Sequence, residues 1–176
     1  MIERKKIIKT SFNKFLEDVM KLPYKPNSQY NPQHENQIEE LLKKYEIEYE
    51  PQPNGSQSFP DFYLPDQDLN LECKSTANYA PMWNCSLPRP DALYILCSKK
   101  LNKTNMFFGK YVLSEENYNK LIEKSKMLKQ YIKDNQGNSE DYGIYDRLAF
   151  QDKGGNYEEK YFDYSYSEKV LEHYDY

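Results

Sequence analysis

The chain predicts an α/β fold, a central mixed β-sheet flanked by helices, and three observations carry that expectation. Apolar residues recur at helical spacing in residues 10–22, 32–44 and 114–133. Between the second and third of these lie short stretches in which apolar and polar residues alternate, as they do along a half-buried strand. Ala92-Leu93-Tyr94-Ile95-Leu96-Cys97 is apolar without interruption over strand length, which suits a central strand buried on both faces. With 176 residues, the expectation is one domain over residues 1–176, large enough for a real core.

The elements follow in order. Phe12, Phe15, Leu16, Val19 and Met20 give the first segment one apolar face. Residues 22–32 form a loop containing Pro, Asn and Ser. Asn31-Pro32 reads as an N-cap followed by proline at the first helical position, and the helix to Lys44 turns Ile38, Leu41 and Leu42 inward. Ile47 and Tyr49 alternate with Glu46, Glu48 and Glu50 as a short strand, and Asn54-Gly55 makes a turn. Asp61 belongs to a short strand bounded by Pro60 and Pro65. A turn over residues 65–68 folds it back beside a second strand. A polar loop covers residues 76–91, and residues 106–113 read as a further strand. Ser114 with Glu115 and Glu116 is a helix start, and Tyr118, Leu121, Ile122, Met127 and Leu128 run along that helix. Residues 144–150 are expected as a strand and Gly154-Gly155 as a hairpin turn. The Tyr-rich tail is expected to pack or cap the body.

Composition excludes several classes. Charged residues are 30% and aromatics 15% of the chain, and 18 Tyr with 8 Phe supply enough burial area to argue against disorder. No run is long enough to span a bilayer, and the basic start Met1-Ile2-Glu3-Arg4-Lys5-Lys6-Ile7-Ile8 lacks the apolar stretch of a signal peptide. Cys73, Cys85 and Cys97 form no CxxC pair, so they read as reduced core thiols of a cytoplasmic protein. Net charge is -4, yet it is unevenly spread. Residues 1–25 hold seven basic and three acidic side chains, net +4. Residues 92–138 hold nine lysines against four acids, net +5, and residues 139–176 are net -6. A positive face suited to phosphate is therefore available, although each lysine could equally belong to a solvated helix face.

The chemistry concentrates in Phe59-Pro60-Asp61-Phe62-Tyr63-Leu64 and Leu71-Glu72-Cys73-Lys74-Ser75. On the second strand Leu69, Leu71 and Cys73 project to one side, and Asn70, Glu72 and Lys74 to the other. Two carboxylates and an ammonium then converge at a sheet end, a hard-cation site beside a group that handles protons. A salt-bridged surface hairpin is the structural alternative.

Pro60-Asp61 and Glu72-Cys73-Lys74 resemble the PD-(D/E)XK nuclease superfamily, and within it the type II restriction endonucleases. Residues 52–57 and 81–88 also look like flanks of small restriction enzymes, and the resemblance covers residues 31–113. It implies a restriction-endonuclease-like core and Mg2+-dependent cleavage of double-stranded DNA to a 5′ phosphate and a 3′ hydroxyl. It also implies a homodimer for double-strand cutting and a cognate DNA methyltransferase in the same system. Under it, Asp61, Glu72 and the backbone carbonyl of Cys73 hold Mg2+. Lys74 either lowers the pKa of the attacking water or accepts its proton. Members often carry a glutamate on the preceding helix. Glu35 and Glu39 both fit that place, with Glu35 favoured because Glu39 and Glu40 have Lys43 and Lys44 one turn away. His34 reads as an exposed residue at the helix start.

Recognition is expected from polar residues on flanking loops. Asn54, Ser56 and Gln57 precede the catalytic strand, and Ser75, Tyr79, Trp83, Asn84, Ser86 and Arg89 follow Lys74. Asn and Gln suit adenine edges and Arg suits guanine. Trp83 has core packing as its alternative, and Asn84 a turn cap. Lys99, Lys100 and Lys103 are expected on phosphates, where they position without reading sequence. Two alternatives to a restriction enzyme remain: a structure-specific repair or junction-resolving nuclease with the same metal site, and a non-catalytic DNA-binding module.

Overall fold

A computed structural model describes residues 2–26, 33–56, 58–83, 86–135 and 150–175, without the side chains of residues 2–8 and 175. The chain is α/β. Five strands, β1 (Glu50–Pro51), β2 (Phe62–Leu64), β3 (Leu69–Thr76), β4 (Leu93–Ser98) and β5 (Lys103–Phe108), form one mixed sheet in sequence order. Only β3 and β4 run parallel, joined by residues 77–92; the other pairs are antiparallel. Antiparallel neighbours need only short turns, whereas a parallel pair needs a long crossover.

Alternation along the strands sorts side chains onto two apolar layers. Leu69, Leu71 and Cys73 of β3, with Leu93 and Ile95 of β4, enter one layer. There they meet Phe12, Phe15, Leu16 and Val19 of α1 (Ile2–Val19) and Ile38 and Leu42 of α2 (Gln33–Lys44). Tyr94 and Leu96 of β4 and Phe107 of β5 enter the second layer with Trp83, Tyr161 and Phe162. Strand β4 is thus buried throughout because both of its faces are covered. Each fully buried Leu or Phe contributes about 1.5–3 kcal/mol, so both layers matter to stability.

The last two helices close both layers. Helix α5 (Tyr157–Phe162) starts at Asn156, whose side chain accepts the Glu158 amide. It brings Tyr161 and Phe162 to the second layer, and α6 (Tyr164–Asp175) brings Val170 to the first. Buried Asn105 on β5 ties them down. Its amide donates to the carbonyls of Tyr161 at 2.9 Å and Asp163 at 3.3 Å, and its oxygen accepts from Ser167 Oγ at 2.9 Å. The Tyr-rich tail is therefore core-forming, and no hairpin forms at Gly154-Gly155, which lie in the loop before α5.

Other boundaries also differ from the sequence expectation. The first helix starts at Ile2, well before residue 10. Residues 47–49 are not strand, although Ile47 is buried. Strand β5 begins at Lys103 and ends at Phe108; residues 109–112 form a one-turn helix, α3 (Gly109–Val112), where strand was expected. Helix α4 (Glu115–Asn135) starts where expected, with the Ser114 hydroxyl accepting the Asn117 amide, but buries no residue; Met127 is 71% exposed. The expected N-cap pair Asn31-Pro32 and most of the expected strand over 144–150 lie outside the described residues. Phe150 forms an isolated bridge to Trp83. Among the described residues no helix is long and apolar enough to cross a membrane.

Candidate active site

The site forms where β2 stops and β3 continues. Phe62, Tyr63 and Leu64 pair with Leu71, Asn70 and Leu69, and a 3-10 turn over Pro65–Gln67 joins the two strands. Asp68 closes that turn in the left-handed conformation, which Asp tolerates. Asp61 is the residue before β2 rather than within it, but its carbonyl still accepts the Gln52 amide at 2.8 Å. Continuing the register by one residue sets Asp61 opposite Glu72; continuing it by two sets Pro60 opposite Cys73.

That register has a chemical effect. Alternate residues of a strand turn their N–H and C=O groups to alternate edges. The Thr76 carbonyl serves the β4 side, accepting the Lys99 amide at 2.9 Å, so the Cys73 groups face the β2 side. Pro60 there has no N–H, so it offers no ladder donor to the Cys73 carbonyl. The Cys73 N–H donates instead to Asp61 Oδ2 at 2.7 Å. A carboxylate and a carbonyl thus lie together at a strand fork.

Glu72 is 7% exposed. Lys74 Nζ donates to its Oε1 at 2.5 Å, while its buried Oε2 has no hydrogen-bond partner. Burial raises the Asp61 pKa to about 7, and the charges of Glu72 and then Glu35 push the same way against the Cys73 amide and Lys74. Glu35, half-buried on α2, is also raised, by burial first and by Glu72 second. Glu39 differs: Lys43 at 2.8 Å and the Tyr49 hydroxyl at 2.7 Å hold its carboxyl below the usual range. Glu35 therefore belongs to the acidic cluster and Glu39 to the surface. Among the described residues no three His, Cys, Asp or Glu side chains converge enough to hold a metal ion by themselves. Glu35 acts on Asp61 and Glu72 through space, by the charge each feels from the others.

The Cys73 thiol points into the core, where burial holds its pKa well above normal; Cys97 is also a buried free thiol. Cys85 lies outside the described residues.

The loop residues divide into three groups. Asn54, Ser56, Ser75, Arg89, Lys99, Lys100 and Lys103 are exposed, and Tyr79 and Ser86 are half-buried. Asn54 Nδ2 donates to the Phe59 carbonyl at 2.9 Å, bracing the loop before Asp61. Lys100 sits over the Tyr79 ring at 4.5 Å. Gln57 and Asn84 lie outside the described residues. Trp83 is not a readout residue: it is 4% exposed, packs edge-on to Tyr94, and donates from Nε1 to the Tyr161 hydroxyl at 3.1 Å.

His34 corrects a second expectation. It is 4% exposed, and its Nε2 lies 3.2 Å from the Ile95 carbonyl, fastening the start of α2 to the central strand. The pattern had no way to show this, because a histidine at a helix start is usually solvated.

Comparison with known families, curated proteins and solved structures finds no match to this chain.

Proposed function

We propose that this protein is a Mg2+-dependent endonuclease of double-stranded DNA, of restriction type, with a PD-(D/E)XK-like site on a restriction-endonuclease-like core. One observation carries the reading. At the strand fork three carboxylates, Glu35, Asp61 and Glu72, influence one another with Lys74 as the one ammonium among the described residues there, and a buried oxygen of Glu72 has no hydrogen-bond partner among them. Isolated buried charge is costly, so such a cluster calls for a cation.

The donors are hard oxygens, which fit Mg2+: Asp61, Glu72 and the Cys73 carbonyl would hold it, with water completing the shell. When bound, it neutralises charge on the phosphodiester and stabilises the leaving 3′ oxygen. Glu35, on the preceding helix, adds negative potential beside the ion. Lys74, beside Glu72 on the same strand face, holds the attacking water or takes its proton. Asn54, Ser56 and Ser86 supply polar edges for bases, and Lys99, Lys100 and Lys103 supply charge for phosphates. Cutting both strands to 5′ phosphates and 3′ hydroxyls calls for two such centres, hence a homodimer on a near-palindromic target. A cognate methyltransferase would protect the host's own DNA in the same cytoplasm.

Incubating plasmid with protein and Mg2+ tests this directly. Discrete fragments that share one end sequence are expected. Cleavage only of junctions or flaps would make it a structure-specific nuclease, and duplex binding without cleavage would make the acidic cluster structural.

A further inference from the structure

Arg89 stands near the end of the loop joining β3 to β4, and its backbone is fixed from several sides. Its N–H donates to the Tyr94 hydroxyl at 2.8 Å, and its carbonyl accepts the Ala92 amide at 3.2 Å. Gly109 lies against that carbonyl so closely that a Cβ there would stand 2.0 Å from the oxygen. The side chain is fixed as well: the guanidinium carbon lies 4.0 Å from the centroid of the Phe59 ring.

These contacts close a circuit around the strand fork. Phe59 precedes Asp61 by two residues, and Tyr94 is the β4 partner of Glu72. Arg89 is therefore held by the neighbours of both acids, the loop before Asp61 and the strand beside Glu72. It nevertheless makes no ion pair with their carboxylates, and no described residue accepts from its guanidinium. The Phe59 ring holds the guanidinium in place, and among the described residues its donors meet no acceptor. Lys99 and Lys100 are exposed ammonium groups at the opposite end of β4, compact point charges suited to phosphate. A guanidinium held by both backbone and ring is a directional fork, and the duplex surface that matches a fork is the N7 and O6 edge of guanine.

We infer that Arg89 is a specificity-determining residue that reads a guanine beside the cut, so that the target of the proposed nuclease contains a G·C pair there. This rests on the nuclease reading, and the following experiment separates the two. Fragment ends made by the wild-type protein with Mg2+ are sequenced, and each guanine of the site is then replaced by 7-deazaguanine, which lacks the N7 acceptor. One guanine should be sensitive, with cleavage slowed about 10-fold or more in the wild type. Arg89→Ala should cut the unmodified site more slowly and show no further loss with the modified base, and Arg89→Lys should not restore discrimination. Insensitivity of the wild type at every guanine overturns the inference while leaving the nuclease intact. So does an Arg89→Ala variant slowed equally on all sequences with a reduced salt dependence, the signature of a phosphate contact. If the wild type cuts no duplex, the nuclease reading fails and the guanine reading with it.

Discussion

Lys74 Nζ donates to Glu72 Oε1 at 2.5 Å, and among the described residues this one ammonium is the cation whose charge reaches Asp61 and Glu35 as well. The cluster is therefore over-supplied with negative charge, and its response to metal, proton and substitution follows from that excess.

Asp61→Asn and Lys74→Ala should each reduce single-turnover cleavage by about 100-fold or more, the scale of a lost charge-stabilising or proton-transfer group. Both side chains sit at the rim, so duplex affinity measured by fluorescence anisotropy without metal should change little. Parental cleavage rates in either variant would remove the assignment.

Divalent metal should stabilise the fold. Mg2+ at about 100 times its dissociation constant adds roughly 2.7 kcal/mol by mass action, seen as a rise in melting temperature that a chelator reverses. Asp61→Asn should show little of that rise. An equal rise in both proteins would place the ion elsewhere.

Acidity should compete with metal. The folded pKa of Asp61 is raised above its unfolded value to about 7. Its contribution to metal-free stability is therefore fully present below pH 4 and is lost as pH rises through about 7. Asp61→Asn should accordingly stabilise the metal-free protein more at pH 8 than at pH 5, while keeping an oxygen for the Cys73 amide. Metal needs the ionised carboxylate, so Mg2+ affinity by calorimetry should climb with pH up to about 7 and then level. A flat profile between pH 5 and 8 would contradict this.

Glu35→Gln should shift that profile to lower pH, because the Glu35 charge helps keep the Asp61 proton on. Glu39→Gln should leave it in place, since Glu39 is neutralised by Lys43 and hydrogen-bonded to Tyr49. The comparison is read from pH-rate curves of the two variants. Matching shifts would mean that the two glutamates are wrongly distinguished.

Gly109→Ala should destabilise by about 1–3 kcal/mol, the usual cost of overpacking, because the Arg89 carbonyl has no room to yield without moving its loop. Urea denaturation measures it. An unchanged midpoint would show that the loop gives way freely.

The acidic strand pair was legible because strand alternation alone separates Leu69, Leu71 and Cys73 from Glu72 and Lys74. The continuous run from Ala92 to Cys97 likewise marked the central strand. What stayed hidden depended on tertiary partners. His34 is a polar residue at a helix start, and only the Ile95 carbonyl reveals it as buried; Trp83 could be read as core or as readout until Tyr94 and Tyr161 are seen around it. The strand expected to run on to Leu113 ends at Phe108, where Gly109 must abut the Arg89 backbone; that glycine was the available signal. The contact of Arg89 with the Phe59 ring joins positions too far apart in the chain for any pattern to connect them.

The hold of Asn105 on the segment from Tyr161 to Ser167 bears on biosynthesis. A chain ending near residue 150 already contains all five described strands and the helices α1 and α2, yet it lacks α5 and α6, which bring Tyr161, Phe162 and Val170 to the two layers. Both apolar layers are therefore expected to close only once residues 156–175 are available, late in the synthesis of this domain.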